Sequence, residues 1–456
     1  MNNKDTICAI VTPPGTGGVG IVRISGGKAQ EVLQKIWQGK VKVANFESHK
    51  MHLGHIQDPQ SKNPVDNVLV VIMRAPHSYT GEDVVEISGH GGQMLLGRIL
   101  ASCQKAGARL AQPGEFTRRA FLNGKMDLAQ AEAVADLIAA NNESAARLAL
   151  NQLEGKLSET ISSLQEGLTN LRAFVEAAID FPEEDIEFIK KEGVAEKLKV
   201  IASKLQTLIS TYADGRLLKD GVKVAIIGKP NVGKSSLFNK LVGSARAIVH
   251  YSPGTTRDLV SETIQLEGVA FHLIDAAGIR DEGHEVEMIG IELAREQVKK
   301  ADLIIRVVDE PKVEELKGLD LQKTILCLNK IDLLTSEQKT SYLKNLGTDW
   351  YAVVSVSALE GKGLSDLQKA LSLFAVSGKN KGSQEGVVIT SARHKQALKE
   401  AVVNISEAIK AVKENSSAEF IAEHLTQASG ALGQIIGQVS TDDILNQIFS
   451  KFCIGK

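Results

Sequence analysis

The chain reads as a multidomain α/β protein. It has an N-terminal α+β domain, a discontinuous α-helical domain, and an inserted P-loop domain with a doubly wound, mostly parallel sheet. Three observations predict this. The short apolar run 222–227 leads through Gly228-Lys-Pro-Asn-Val-Gly-Lys-Ser-Ser236 into a segment of helical spacing, the strand–loop–helix context of a phosphate-binding loop. Around that loop, residues 219–376 alternate β-rich and helical segments. Sustained helical periodicity flanks it on both sides, from about Leu128 and again from Ser391. A chain of 456 residues has room for roughly two to four domains.

In residues 1–120, Ile21-Val-Arg-Ile24 and Val68-Leu-Val-Val-Ile72 read as strands, while Thr12-Pro-Pro-Gly15 and Gly89-His-Gly-Gly92 read as turns. Residues 121–218 form the first part of the helical domain. There Leu157, Ile161, Leu164, Leu168, Leu171 and Val175 step by alternating fours and threes, which places them on one face of a long helix. That stripe reads as a bundle core rather than a cofactor groove. Phe181-Pro182 interrupts the helix, and another runs from about Val194 to Tyr212. After the nucleotide domain a polar stretch, Ser377 to Gly386, acts as a linker. Residues 377–456 then return to helical spacing through Ala397, Val402, Ile405 and Ile409. Insertion of the nucleotide domain between two halves of one helical domain explains the order, because insertion needs only neighbouring chain ends.

Composition excludes little but does so cleanly. A hydrophobic content of 43% suits ordinary globular cores, and a net charge of −2 argues against a strongly cationic nucleic-acid binder. Cys8, Cys103, Cys327 and Cys453 are scattered without metal-site spacing, which fits a reducing cytosol. There is no apolar stretch of about 18 residues, so a cytoplasmic protein without a membrane anchor is expected.

The loop defines the first chemistry. Its backbone N–H groups, from Asn231 and Val232 through Gly233 to Ser236, would close around phosphate oxygens, helped by the positive end of the following helix. Lys234 would reach the β- and γ-phosphates, and the Ser235 hydroxyl would ligate Mg²⁺. Asn329-Lys330-Ile331-Asp332 follows the apolar run 324–328 and selects guanine: the Asp332 carboxylate accepts from N1–H and the 2-amino group, a donor pair adenine lacks. Ser355-Val-Ser-Ala-Leu359, with Ser357 and Ala358 at its centre, would touch the guanine oxygen. Asp275-Ala-Ala-Gly278 would hold Mg²⁺ through water and meet the γ-phosphate with the Gly278 N–H. Within Gly254-Thr-Thr-Arg-Asp258, Thr255 and Thr256 are candidates to complete the Mg²⁺ shell. In order and at this spacing, the four motifs predict a GTPase. No glutamine stands just after Gly278, where the chain reads Ile279-Arg-Asp-Glu-Gly283, so Glu282, Glu285 and Glu287 are the candidates for the water-activating role.

Further segments carry a family likeness over essentially the whole chain. They are Asp5-Thr-Ile, Thr12 to Gly15, Gly17 to Gly26, Ser78-Tyr-Thr-Gly-Glu-Asp83, Gly89 to Gly92, Pro113-Gly-Glu-Phe116, Arg119 to Lys125 and the terminal Phe452-Cys-Ile-Gly-Lys456. With these motifs the sequence resembles the MnmE (TrmE) tRNA-modification GTPases. The resemblance implies an N-terminal domain that binds folate and dimerises, with 5-formyl- or methylene-tetrahydrofolate near Arg23, Glu86, Lys125 and Lys456. An anionic folate tail suits arginine and lysine, and a carboxylate suits the donors of a pterin ring. It implies a homodimer that forms a heterotetramer with the flavin-dependent MnmG (GidA) protein. Together these add a carboxymethylaminomethyl or aminomethyl group to carbon 5 of the wobble uridine of tRNA. It further implies K⁺ in the place of an arginine finger, with Asn231 as a ligand and switch I residues around His250, Ser252 and Thr255 supplying others. It selects Glu287 as the water-orienting carboxylate. Two departures stand out. Val249-His-Tyr-Ser-Pro253 replaces the more usual Thr-Asp-Ile/Val pattern, and Ala276 replaces a more common threonine. Cys453 has two readings, a reactive thiol beside the folate or a residue of a segment that closes the pocket. The alternative to an enzyme is a regulatory or assembly GTPase switch, which would need neither the Arg23, Glu86 and Lys125 set nor the terminal motif.

Overall fold

The computed structural model describes residues 5–180, 191–244, 246–247, 261–275, 298–310, 319–345, 349–376, 386–414 and 416–456. They fall into two compact units. One comprises Met1–Ile138, Gln152–Asp185 and Ser416–Lys456; the other comprises Ala139–Asn151 and Ile186–Asn415.

The first unit is built on seven strands: β1 (Ile7–Ile10), β2 (Gly17–Ser25), β3 (Trp37–Gln38), β4 (Met51–Gln57), β5 (Pro64–Met73), β6 (Val84–Gly91) and β7 (Arg109–Leu110). Their order across the sheet is β3-β4-β5-β6-β2-β1-β7, antiparallel apart from the β1–β7 pair. Alternation along the strands sends Val22, Ile24, Val68, Val70, Ile72, Val85 and Ile87 to one face, where they share a core with the helices Ala29–Ile36 and Gln93–Ala106. The opposite face therefore receives Ala9, Arg23, Glu86 and Val71, which lie in register across β1, β2, β6 and β5. One expectation needs correcting. Gly89-His-Gly91 is not a turn but the end of β6, paired with β2 as far as Gly17. Its glycines serve close approach: a Cβ on Gly89 would lie 2.7 Å from Asp66 Oδ2, and one on Gly91 would lie 2.5 Å from the Gly17 carbonyl oxygen.

The remainder of this unit is helical. All six residues of the stripe from Leu157 to Val175 are buried in the helix Lys156–Asp180, which packs along the helix Ala418–Ile436. Each such side chain contributes about 1.5–3 kcal/mol relative to exposure, so the stripe alone fixes the pairing of two segments far apart in sequence. The short helix Asp442–Phe449 joins a small core with Leu128 and Ala131 and leads into the C-terminal tail.

The second unit holds the other sheet: β8 (Val222–Ile227), β9 (Arg246–Ala247), β10 (Ser261–Leu266), β11 (Val269–Asp275), β12 (Leu303–Val308), β13 (Thr324–Leu328) and β14 (Ala352–Ser355). The order is β14-β13-β12-β8-β11-β10-β9, with β14 through β11 parallel and the last two antiparallel. Strands β8 and β13 match their expected spans because a parallel strand covered on both faces reads as a nearly continuous apolar run, which in β8 only the exposed Lys223 interrupts. The helices Lys191–Ser210 and Ala392–Lys413 pack together in this unit.

Candidate functional site

The phosphate loop leaves β8 at Gly228 and enters the helix Lys234–Ser244. Two of its positions have left-handed backbones, Asn231 at φ 62° and Gly233 at φ 93°, which curl the peptide N–H groups toward a common centre. A Cβ on Gly228 would collide with the Val307 carbonyl, so β12 demands glycine there. The Lys234 ammonium donates 2.7 Å across the loop to the Lys229 carbonyl and so bridges its mouth, in reach of an incoming phosphate. Val232 is buried and anchors the loop, whereas Asn231, Ser235 and Ser236 lie at the exposed surface. This is a donor set that fits a nucleoside triphosphate with Mg²⁺.

Asn329 ties this loop to the base-recognition side. It is buried. Its Nδ2 donates 2.8 Å to the Val232 carbonyl, and its Oδ1 accepts from the Ala358 N–H at 3.0 Å. A Cβ on Gly233 would strike the same Nδ2, so the glycine and the asparagine are matched to each other. Lys330 then takes a left-handed backbone, φ 60°, and its ammonium pairs with Asp309 at 2.8 Å. That hydrogen bond holds the Asp309 carboxyl below the usual carboxylate range. The turn presents Asp332 to solvent, as a guanine-binding carboxylate requires. Ser357 is fully buried; its N–H donates to the Lys362 carbonyl at 3.0 Å and so closes the loop on which Ala358 sits. The structure thus joins Val232 of the phosphate loop, Asn329 and Ala358 through direct bonds, with Ser357 next to Ala358 in the chain. Asp275 lies at the end of β11, the strand beside β8. The candidate residues His250, Ser252, Thr255, Thr256, Gly278, Glu282, Glu285 and Glu287 lie outside the described residues.

A second site lies on the open face of the N-terminal sheet. The Arg23 guanidinium bonds the Glu86 carboxylate through Nε and Nη2, both at 2.8 Å. It lies between the rings of Tyr79 and Phe116, 5.4 and 5.6 Å from their centroids. Its Nη1 is buried without a hydrogen-bond partner among the described residues. An unsatisfied buried donor costs about 1–3 kcal/mol, so the site is built for an acceptor from outside the chain. The C-terminal tail closes against it: the Phe116 N–H donates to the Lys456 carbonyl at 3.2 Å and the Gly114 N–H to the Cys453 carbonyl at 3.4 Å. Gly455, at φ 102°, lies so close to β1 that a Cβ would stand 2.6 Å from the Ile10 carbonyl oxygen. The Cys453 thiol is exposed. Lys125 joins the same surroundings by donating 3.1 Å to the Pro76 carbonyl, in the loop that leads to Tyr79. Arg23 and Glu86 are therefore paired directly, while Lys456 meets the site through its backbone bond to Phe116 and Lys125 through the loop that leads to Tyr79. An anionic or carbonyl-bearing ligand such as folate fits this donor set.

Beneath it lies an ion network that sequence reasoning did not single out. Arg119, 3% exposed at its side chain, pairs with Asp5 at 2.7 Å, Glu115 at 3.0 Å and Glu82 at 3.2 Å. Arg109 pairs with Asp5 at 2.6 Å and Glu115 at 2.5 Å. Burial alone would raise the Glu115 carboxyl, but its bonds from Arg109, the Gln112 N–H and Arg119 outweigh this and lower it. The network fixes the helix Glu115–Leu122, and with it Phe116, against β1. Tyr79, Phe116 and Arg119 all fall within the family motifs, so those motifs were their only signal.

The sheet of the second unit, with its braced loop and guanine-type carboxylate, defines a class: a P-loop GTPase domain carried within a larger chain. The family models for the MnmE helical domain and the GTP-binding protein TrmE N-terminus match residues 128–453 and 6–125. The tRNA modification GTPase MnmE of Moorella thermoacetica is 44% identical over 99% of both chains, and that of Acetivibrio thermocellus is 41% identical over 100% of both. The chain belongs to the MnmE family of tRNA modification GTPases. Among solved structures, the G domain of the T. maritima FeoB iron transporter is 33% identical, covering 34% of this chain and 98% of its own, at a TM-score of 0.25. Among the described residues no helix is long and apolar enough to cross a membrane.

Proposed function

We propose that this chain is a GTP-hydrolysing enzyme of tRNA wobble-uridine modification. The observation that carries the reading is the match to curated relatives over 99% of both chains at 44% identity, relatives that are named as tRNA modification GTPases. GTP and Mg²⁺ bind at the Asn231–Ser236 loop, with Ser235, Thr256 and Asp275 on the Mg²⁺ side and Asp332 on guanine. Asn231 and the segment from His250 to Thr255 hold K⁺, and Glu287 orients the attacking water. The N-terminal site takes a tetrahydrofolate one-carbon derivative: the orphaned Arg23 Nη1 meets one of its oxygens, Glu86 takes ring donors, and Lys125 and Lys456 take the anionic tail. Bound there, the folate supplies the one-carbon unit for carbon 5 of uridine, and the Arg23–Glu86 pair and the tail orient it.

Working as a homodimer with the flavoprotein MnmG in the cytoplasm, the chain adds a carboxymethylaminomethyl or aminomethyl group. The domain division at residues 120, 218 and 376 belongs to the same reading. Two measurements test it together. GTP hydrolysis by the purified protein should be several-fold faster in K⁺ than in Na⁺ buffer, and 5-formyl-tetrahydrofolate should bind with an affinity that falls in Arg23→Ala. Equal rates in the two salts would remove K⁺ from the account. Unaltered folate binding in the variant would remove Arg23.

A further inference from the structure

We propose that the β10–β11 hairpin carries the nucleotide state to the helical segments, with His272 as the positioning residue at its base. This rests on the GTPase reading above. The two strands pair along their whole length and are joined by Glu267-Gly268, both at positive φ (47° and 79°), the tight turn that suits a twisted ribbon. The chain just before β10 carries Thr255 and Thr256, and the chain just after β11 carries Gly278. Both segments expected to sense the γ-phosphate are thus covalent extensions of one stiff element.

That element touches helices at two points. At its tip, the Gly268 carbonyl accepts from the Ser144 N–H at 3.3 Å, in the first turn of the helix Glu143–Leu153. First-turn N–H groups lack intrahelical acceptors, so the hairpin supplies one and Asn142 Oδ1 supplies the next, to Ala145 at 2.8 Å. At the base, His272 Nε2 bonds the Asp220 carbonyl at 2.9 Å, at the end of the helix Tyr212–Asp220. A carbonyl only accepts, so Nε2 carries the proton and Nδ1 accepts from the Thr263 hydroxyl, 2.9 Å away on β10. One imidazole therefore joins both strands of the hairpin to the chain leading into the nucleotide domain. Gly221 is shaped to this contact: at φ 80°, a Cβ there would lie 2.6 Å from His272 Nε2. The helix Tyr212–Asp220 has a second anchor away from the hairpin, Arg216 to Asp302 at 2.5 Å. A shift of the hairpin would pull one end of that helix while this ion pair holds the other contact. A ligand moves such an element only through contacts that differ between states, and the two phosphate-sensing extensions supply them.

The test compares the full-length protein with His272→Phe, which keeps the ring but removes both hydrogen bonds, and with Ser144→Pro, which removes the N–H donated to the hairpin tip. Three quantities are measured: GTP hydrolysis, wobble-uridine modification, and amide hydrogen exchange in the helix Glu143–Leu153 with GDP and with GDP–aluminium fluoride. In the parent, exchange in that helix should differ between the two nucleotide states. In either variant the difference should fall by at least half and modification at least tenfold, with hydrolysis within twofold of the parent. If the parent modifies no tRNA but its nucleotide-dependent exchange is still lost in the variants, the transmission stands and the tRNA reading fails. A parent-like exchange difference in both variants would overturn the proposal. So would hydrolysis that falls in step with modification, since His272 would then act on the nucleotide site itself.

Discussion

Replacing Asn329 by alanine should separate the nucleotide site into two independent loops. In the parent its amide makes both bonds that join them, 2.8 Å to the Val232 carbonyl and 3.0 Å from the Ala358 N–H. Truncation loses two hydrogen bonds of about 1 kcal/mol each and strands a carbonyl and an N–H, for a total of roughly 2–4 kcal/mol. In a domain of this size that corresponds to a melting shift of about 4–16 °C. Nucleotide affinity should fall too, because binding must now reorder both loops. If about 2 kcal/mol of the loss appears in binding, Kd rises on the order of 30-fold. Fluorescent GDP and a non-hydrolysable GTP analogue, titrated at a temperature where the variant is folded, provide the assay. Both affinities should drop by the same factor, because the brace lies under the loop and away from the γ-phosphate. A variant that melts lower but binds both nucleotides within threefold of the parent would refute the reasoning and leave Asn329 a purely structural residue.

Three other outcomes are expected. Asp332→Asn should weaken guanine nucleotides and favour xanthine nucleotides in competition binding; unchanged guanine preference would detach this exposed carboxylate from base recognition. Gly455→Ala should reduce folate affinity at least tenfold with little change in GTP turnover, since its Cβ would stand 2.6 Å from the Ile10 carbonyl oxygen and push the tail off β1. Normal folate binding in that variant would mean the tail does not shape the pocket. Acidification should unfold the N-terminal unit early. Asp5 and Glu115 have carboxyls lowered in the folded state, so their stabilisation is complete at neutral pH and is lost as pH falls below the unfolded values of about 3.9 and 4.3. Thermal melts should drop steeply below about pH 4, and less steeply in Glu115→Gln, which has already given up that share at pH 7.

The nucleotide half of the fold was largely legible because its signals are local. Val222–Ile227 and Thr324–Leu328 are buried parallel strands whose apolar runs need no partner to be recognised. The loop between Gly228 and Ser236 is contiguous in sequence. The N-terminal site was legible only by resemblance. Arg23 and Glu86 are 63 positions apart and meet through β2–β6 register, which no spacing rule exposes. Tyr79, Phe116 and Arg119 act through ring and ion-pair contacts with residues distant in sequence, such as Arg23, Asp5 and Glu82, which no local pattern exposes. The segment from Gly89 to Gly91 misled for a physical reason: glycine there makes room for Asp66 and for β2 and does not bend the chain.

The central claim is that GTP turnover by this chain drives modification of the wobble uridine. Mass spectrometry of tRNA nucleosides tests it most directly, in a strain lacking the protein and in the same strain supplied with the parent or with Lys234→Ala. The account predicts loss of the carbon-5 aminomethyl-type uridine in the deletion strain, its return with the parent, and no return with Lys234→Ala. An unchanged level of that nucleoside in the deletion strain would contradict it.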